Sequence, residues 1–129
     1  MKQVLTLITA LLISGCMDGS FSGYADFRNK NRSNMMKLEV GMSKARVLEI
    51  FGNETYASVT NPYKIEFIPS KTGMVEVVYY YTDYIDYASG KSEATGMTPI
   101  ILKDNKVIGW GRKMLDDSDF RSTLSIERK

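Results

Sequence analysis

The spacing of apolar residues changes at Gly52 from a helical period to a two-residue period, and this change limits the fold more than any other feature. Before Gly52, residues 44–51 place Val, Leu and Phe side chains on one face at helical spacing. After it, residues 63–68 alternate as a half-buried strand does, until Pro69. The apolar positions of that alternation are Tyr63, Ile65 and Phe67. A helix followed by such strands predicts an α+β fold.

Both ends of the helix before Gly52 have recognisable signals. Ser43 is a good N-cap, because its hydroxyl can accept a hydrogen bond from an N–H group of the first turn. Met42 and Val47 occupy the two positions of a hydrophobic staple. Gly52 is placed as the left-handed residue that ends the helix. A short helix is predicted just before it, over residues 31–38.

Three further strands are expected after residue 68, at 74–82, 99–103 and 106–111. Asp and Asn at positions 104–105 tolerate the positive φ of a tight hairpin turn between the last two. Residues 83–96 are predicted to be a long polar connection. The elements together predict two short N-terminal helices packed on one face of a three- to four-stranded antiparallel meander sheet.

The first 16 residues have the form of a secretory signal that ends at a cysteine. Lys2 provides the positive charge, and the apolar run that follows is too short to span a bilayer. Residues 13–16, Ile-Ser-Gly-Cys, resemble the bacterial lipobox. The resemblance implies cleavage between Gly15 and Cys16, a diacylglyceryl group on the thiol and a fatty acyl chain such as palmitate on the new amino group. The alternatives are a chance cysteine after a signal-like stretch, or an uncleaved anchor.

The chain is therefore divided into four segments. Residues 1–15 are the predicted signal peptide, 16–29 a flexible tether, 30–113 the folded domain and 114–129 a polar tail in which a short helix could start at 117 or 118. Position 17, the second of the mature chain, is Met and not Asp, which by analogy with lipoprotein sorting favours the outer membrane, on its periplasmic face.

The composition argues against most familiar catalysis. The sequence has no histidine and one cysteine, so it cannot form a Ser-His-Asp triad, a Cys-His pair, a His-ligated zinc site or an internal disulfide. A net charge of +2 gives no broad basic field, so nucleic acid is not an expected partner. We expect a protein that is not an enzyme, with no catalytic residues, no metal, no cofactor and no small-molecule substrate.

The carboxylates that acid–base chemistry would need are Asp83 and Asp86, and Glu66 and Glu76 at strand positions that could face one side of the sheet. They lie among solvating residues, and the sequence places no nucleophile beside them. The pattern favours a solvated surface over a hydrolase site.

A tyrosine-rich region begins at residue 79. Strand alternation places Tyr79 and Tyr81 on one sheet face and Tyr80 on the other. We expect Tyr79 and Tyr81 to cover the sheet beneath the helices. Tyrosine and tryptophan combine a large apolar body with a polar tip, which suits interfaces. The possible partner surface comprises Tyr80, Tyr84, Tyr87 and Trp110.

Two stretches resemble the SmpA/OmlA (BamE-like) family of bacterial outer-membrane lipoproteins. The first is the helical signature Leu38, Gly41, Met42, Ser43, Val47 and Gly52. The second is residues 98–111, which close on Gly-Trp-Gly. The resemblance covers residues 31–112 and implies two helices on a three-stranded antiparallel sheet, in a lipoprotein on the periplasmic face of the outer membrane.

Two functions follow as hypotheses. The first is a non-enzymatic, lipid-anchored module of the cell envelope that binds protein or acts as a scaffold, with a link to outer-membrane assembly or integrity. Its partners would be membrane lipid, through acylated Cys16, and another envelope protein. The second is a periplasmic inhibitor or sensor, including the kind that excludes phages or plasmids, which acts through its tyrosine-rich sheet face.

Overall fold

The computed structural model describes residues 20–117, apart from residues 86 and 92. In that range the chain forms α-helices, strands and two short 3-10 helices. The helices are α1 (Ser20–Met35), α2 (Lys44–Phe51) and α3 (Arg112–Leu115). The strands are β1 (Thr55–Tyr56), β2 (Val59–Thr60), β3 (Lys64–Ser70), β4 (Gly73–Tyr81), β5 (Met97–Lys103) and β6 (Lys106–Trp110). The 3-10 helices, Tyr87–Ser89 and Glu93–Gly96, lie in the connection from β4 to β5.

The main sheet has four antiparallel strands in the order β3-β4-β5-β6, and β1 and β2 form a separate small hairpin. The predicted α+β class and antiparallel meander are confirmed, and the four predicted strands lie within two residues of the observed ones. The turn between β5 and β6 has positive φ at both central residues, Asp104 and Asn105. Those are the backbone angles that its Asp-Asn sequence predicts.

Helix α2 begins and ends where its capping residues predict. The Ser43 hydroxyl accepts a hydrogen bond from the Arg46 N–H at 3.2 Å. Gly52 has a φ of 67°, and its N–H donates to the Leu48 carbonyl. A positive φ costs little without a Cβ, so glycine is favoured at this position. The caps hold an eight-residue helix in place above the sheet.

The first hydrophobic core lies between α2 and one face of β4, β5 and β6, which we call the helix-covered face. Its buried members are Leu38, Val47, Phe51, Val78, Tyr80, Ile100, Leu102 and Val107. The Phe51 and Tyr80 rings stack with centroids 3.9 Å apart. Full burial of one large apolar side chain stabilises a fold by about 1.5–3 kcal/mol, so this cluster contributes much of the stability.

Helix α1 corrects two predictions, since it runs over Ser20–Met35. Residues 20–29 are helical and do not belong to a tether, and the helix expected over 31–38 ends at Met35. The sequence of α1 is mostly polar, so its apolar periodicity is weak. Tertiary contacts stabilise it instead, because Phe27 is buried in a cluster with Val59, Tyr81 and Ile85.

A buried pair of asparagine side chains joins α1 to the rest of the domain. The Asn31 amide nitrogen donates to the Tyr81 carbonyl at 2.8 Å and to Asn61 Oδ1 at 3.0 Å. The Asn61 amide nitrogen donates to Asn31 Oδ1 at 2.8 Å and to the Phe51 carbonyl at 3.0 Å. The pair thus connects α1 to the end of β4 and to the carboxyl end of α2.

The second core lies on the opposite face of the sheet, where α3 packs. Its buried members are Val75, Val77, Tyr79, Met97 and Ile101. Met114 and Leu115 of α3 contact this cluster. A Cβ on Gly109 would lie 1.9 Å from the Met114 sulfur, so glycine there permits the close approach. Helix α3 was not predicted, and the helix that residue 117 or 118 was expected to cap falls on residues 118–129, which lie outside the described range.

Candidate functional site

The two edges of the main sheet differ in how much of their backbone is paired. Along β6, the Gly41 N–H donates to the Val107 carbonyl at 2.7 Å, and the Val107 N–H donates to the Met42 carbonyl at 2.8 Å. The Lys44 N–H donates to the Asn105 carbonyl at 2.8 Å. Residues 41–44 therefore cover part of the β6 edge. Among residues 20–117 as described, no strand pairs with the outer side of β3.

Exposed apolar side chains lie beside that open edge and form what we call the β3 patch: Ile65, Phe67 and Met74. They are 42%, 66% and 56% exposed, respectively. The register pairs Ile65 with Val78 and Pro69 with Met74, which places all members of the patch on the helix-covered face. The prediction that Ile65 and Phe67 lie on the buried side of a half-buried strand is wrong, because α2 packs over β4–β6 and leaves β3 uncovered.

Ion pairs border the β3 patch on both faces of the sheet. Lys44 of α2 pairs with Glu76, whose side chain is nearly buried, on the helix-covered face. On the opposite face, Lys64 Nζ lies 2.7 Å from Glu66 Oε1 and 4.6 Å from the centroid of the Tyr79 ring. Paired charges beside an apolar patch leave the edge suited to a partner that brings both apolar and charged groups.

The pKa values of Glu66 and Tyr79, both close to Lys64, differ from their ordinary values. The hydrogen bond from Lys64 holds the pKa of Glu66 below its ordinary value, against a smaller opposing effect of burial. Burial, with a hydrogen bond to Glu66, raises the pKa of Tyr79 to about 12. At neutral pH Glu66 is therefore charged and Tyr79 is neutral.

The candidate carboxylates do not form one site. Glu66 and Glu76 lie on opposite faces of the sheet, because Glu66 is paired with Val77, the neighbour of Glu76. The possibility that they share a face is therefore wrong. Asp83 lies in the loop after β4, where it pairs with Arg32 at 3.0 Å, and residue 86 is outside the described range. In the described part of the chain, no three His, Cys, Asp or Glu residues are grouped as a metal site would require.

The tyrosines of β4 alternate between the two sheet faces as predicted, but α2 covers the face of Tyr80 and not the face of Tyr79. Tyr80 is the residue that faces α2, and it is fully buried against Phe51, so its assignment to a partner surface is wrong. Burial also raises the pKa of Tyr80. Tyr79 belongs to the core on the opposite face, and Tyr81 packs with Phe27 of α1. Strand alternation determines which tyrosines share a face, whereas the position of α2 determines which face is covered.

The other proposed surface residues are not brought together. Tyr84 is 62% exposed after β4, with the Arg28 guanidinium carbon 5.9 Å from its ring centroid. Trp110 is partly exposed at the end of β6, across the sheet from β3. Three strand spacings, about 14 Å, separate those two edge strands. The side chain of Tyr87 lies outside the described part of the structure.

The signature residues have structural positions. Leu38 and Val47 are buried in the first core, and Ser43 and Gly52 cap α2. The backbone of Gly41 and Met42 pairs with β6. Gly15 and Cys16 lie outside the described residues, so cleavage and lipidation stay predictions.

Sequence reasoning missed the β3 patch, although a signal for it was present. Charged residues and proline within a strand mark an edge, and β3 contains Lys64, Glu66 and Pro69. With β3 at an edge, its apolar residues have a strand on one side only. The charges and the proline indicate an edge strand, but they do not show which strands α2 covers.

The fold and this surface define a small α+β protein with an exposed, apolar edge strand. The chain belongs to the DUF3192 family, described as a protein of unknown function, whose model matches residues 11–117. Neither a curated protein nor a solved structure matches the chain. In the described part of the chain, none of the helices is both long and apolar enough to cross a membrane.

Proposed function

We propose that this chain is a non-enzymatic lipoprotein, anchored at the periplasmic face of the outer membrane, that binds protein through its β3 edge. The lipobox-like residues 13–16 support the anchor, and the resemblance to SmpA/OmlA lipoproteins supports the location and a role in outer-membrane assembly or integrity. That family packs two helices on an antiparallel sheet, and here Met35 of α1 contacts the first core, in which α2 takes part.

The observation that carries the binding function is the exposed β3 patch beside unpaired backbone. An edge strand presents N–H and C=O groups to which a partner strand can bond. Covering Phe67 and Ile65 would add about 25 cal/mol for each Å² of apolar surface removed from water. One added strand would supply both the backbone hydrogen bonds and the apolar contact.

The start of α1 places the domain close to the proposed anchor. Three residues separate Cys16 from Ser20, the first residue of α1. An extended chain covers at most about 3.6 Å per residue, so the lipidated residue lies within about 14 Å of the helix. A domain held this close to the membrane would meet partners that are themselves in or near it.

The alternative function, an inhibitor or sensor, is left with one observation, the exposed ring of Tyr84. Its proposed tyrosine-rich face is reduced by the burial of Tyr80. The β3 patch offers a larger apolar surface next to backbone that can pair, and we therefore favour protein binding at β3.

Site-specific photo-cross-linking in intact cells tests the binding function. A photoreactive residue at Phe67 should form a discrete adduct with protein. The same residue at Met36, which is 89% exposed and lies outside the patch, serves as the matched control. Adducts of equal pattern from both positions, or none from Phe67, would contradict binding at β3.

Radioactive palmitate labelling followed by membrane fractionation tests the anchor. The wild-type chain should incorporate label and fractionate with the outer membrane. Cys16→Ala should remain unlabelled and uncleaved, while the fold is unaffected because residue 16 precedes every described element. Unlabelled wild-type protein would refute the lipobox interpretation, and so would a Cys16→Ala variant found in the outer membrane.

A further inference from the structure

We propose that the β3 edge pairs with the β3 edge of a second copy of this chain, in an antiparallel register centred on Ile65. This inference rests on the proposed function, because it names the partner of the same edge. Two four-stranded sheets would join into one continuous sheet, with both α2 helices on the same face.

Symmetry restricts the registers that two identical edges can adopt. A two-fold axis perpendicular to the sheet makes the strands antiparallel and leaves each face continuous. Directly opposite residues project from the same face, so an odd-numbered residue must face an odd-numbered one. The axis must therefore pass midway between the two copies of one residue. In the middle of β3, that residue can be Ile65, Glu66 or Phe67.

Charge complementarity selects the register centred on Ile65. There, Lys64 lies opposite Glu66 of the second copy, and Glu66 lies opposite Lys64, so the Lys64–Glu66 pair of one copy meets the same pair of the other and each charge faces an opposite charge across the strands. The register centred on Glu66 would place two glutamates directly opposite each other. Like charges in that position are destabilising.

Proline disfavours the third register. Centred on Phe67, the pairing would extend over all of β3 but would place Pro69 opposite Ile65. Proline has no N–H to donate to the ladder. In the register centred on Ile65, Pro69 lies beyond the end of the paired segment. The Tyr63 N–H already donates to the Tyr79 carbonyl of its own chain, so the paired segment is residues 64–66.

The same register brings the apolar groups together on the helix-covered face. The two Ile65 residues lie directly opposite each other, about 4.5–5.5 Å apart between Cα atoms. Phe67 of each copy follows on the same face, so the exposed parts of Ile65 and Phe67 form one continuous stripe across the junction. The pairing covers apolar surface on one face and forms ion pairs on the other.

Lipid anchoring makes so short a pairing effective. Three paired residues in each copy bury much less surface than a standard interface of about 1,600 Å², so the dimer would be weak in dilute solution. Two copies anchored in one membrane leaflet have a raised effective concentration, which strengthens association without new contacts. The dimer should therefore be tested in cells with the full chain.

Cysteine cross-linking in intact cells tests the register. Ile65→Cys should give a disulfide-linked dimer after mild oxidation, because its Cα separation suits a disulfide. Phe67→Cys is the register control, since its two Cα atoms would lie about 14 Å apart. The wild-type chain controls for Cys16, the one native cysteine.

Charge reversal on the Ile65→Cys background tests the ion pairs. Lys64→Glu alone and Glu66→Lys alone place like charges opposite each other, and each should lower the dimer yield about tenfold. Co-expression of the two variants with different tags should restore the dimer between them. One variant then carries acidic side chains at both positions 64 and 66, the other carries basic side chains at both, and every cross-strand charge pair is again attractive.

Dimer from Ile65→Cys but not Phe67→Cys, with recovery on co-expression, would support the proposal. A palmitate-labelled, folded chain whose Ile65→Cys form stays monomeric would overturn it, as would equal yields at both positions. A Phe67 photo-adduct with a different protein in that case would leave the protein-binding function intact.

Discussion

On the helix-covered face, Phe51 and Phe67 have nearly opposite surroundings. Phe51 is 1% exposed and stacks on Tyr80, whereas Phe67 is 66% exposed at the edge of the sheet. An eight-residue helix is about 12 Å long, and neighbouring strands are about 4.8 Å apart. The buried side chains of this face lie on β4, β5 and β6, and none lies on β3. The comparison teaches that burial on this face depends on distance from α2 and not on the alternation of a strand.

The largest effect should come from truncating the two phenylalanines. Phe51→Ala should lower the free energy of unfolding by about 3–5 kcal/mol, because it removes a buried ring and leaves a cavity. Phe67→Ala should change it by less than about 0.5 kcal/mol. Urea unfolding of the purified full chain, followed by the fluorescence of Trp110, measures both. Similar losses for the two variants would show that β3 is covered after all.

The next effect concerns the polar link between α1 and the covered region. Asn61→Ala should cost about 1–3 kcal/mol, because it removes the amide nitrogen that donates to Asn31 Oδ1 and to the Phe51 carbonyl. Asn53→Ala, in the exposed loop after α2, is the matched control and should be near neutral. Equal values from the two variants would argue that α1 docks without this pair.

The smallest effect belongs to the open edge. The pKa of Glu66 is lowered in the folded state, so its contribution to stability is present above pH 4.5 and is lost as the pH falls through the folded value. For an exposed pair the contribution is about 0.5 kcal/mol or less. The free energy of unfolding of Glu66→Gln should therefore not show this loss as the pH falls. Parallel pH profiles for variant and wild type would contradict the assigned role of Lys64.

Local signals predicted α2 and the sheet well. Ser43, Gly52 and the turn at 104–105 act through backbone groups only a few residues away, so their effect on the structure can be predicted from the sequence. Strand periodicity likewise predicted which tyrosines share a face. These features depend on covalent geometry and hydrogen bonds within one element.

Long-range contacts determined what the sequence could not predict. Helix α1 forms although its sequence is polar, because Phe27 and Asn31 contact partners 30 to 58 residues away along the chain. Its local signals were too weak to separate a helix from a tether.

By itself, the sequence determined the α+β class, the caps of α2, the four strands of the main sheet and the alternation within them. Only the tertiary structure decided that Tyr80 is buried and that Ile65 and Phe67 are exposed. The physical reason is that a period of two sorts side chains into two faces but does not say what covers either face. That depends on which strands the helix packs against, and α2 packs against β4, β5 and β6 and not against β3.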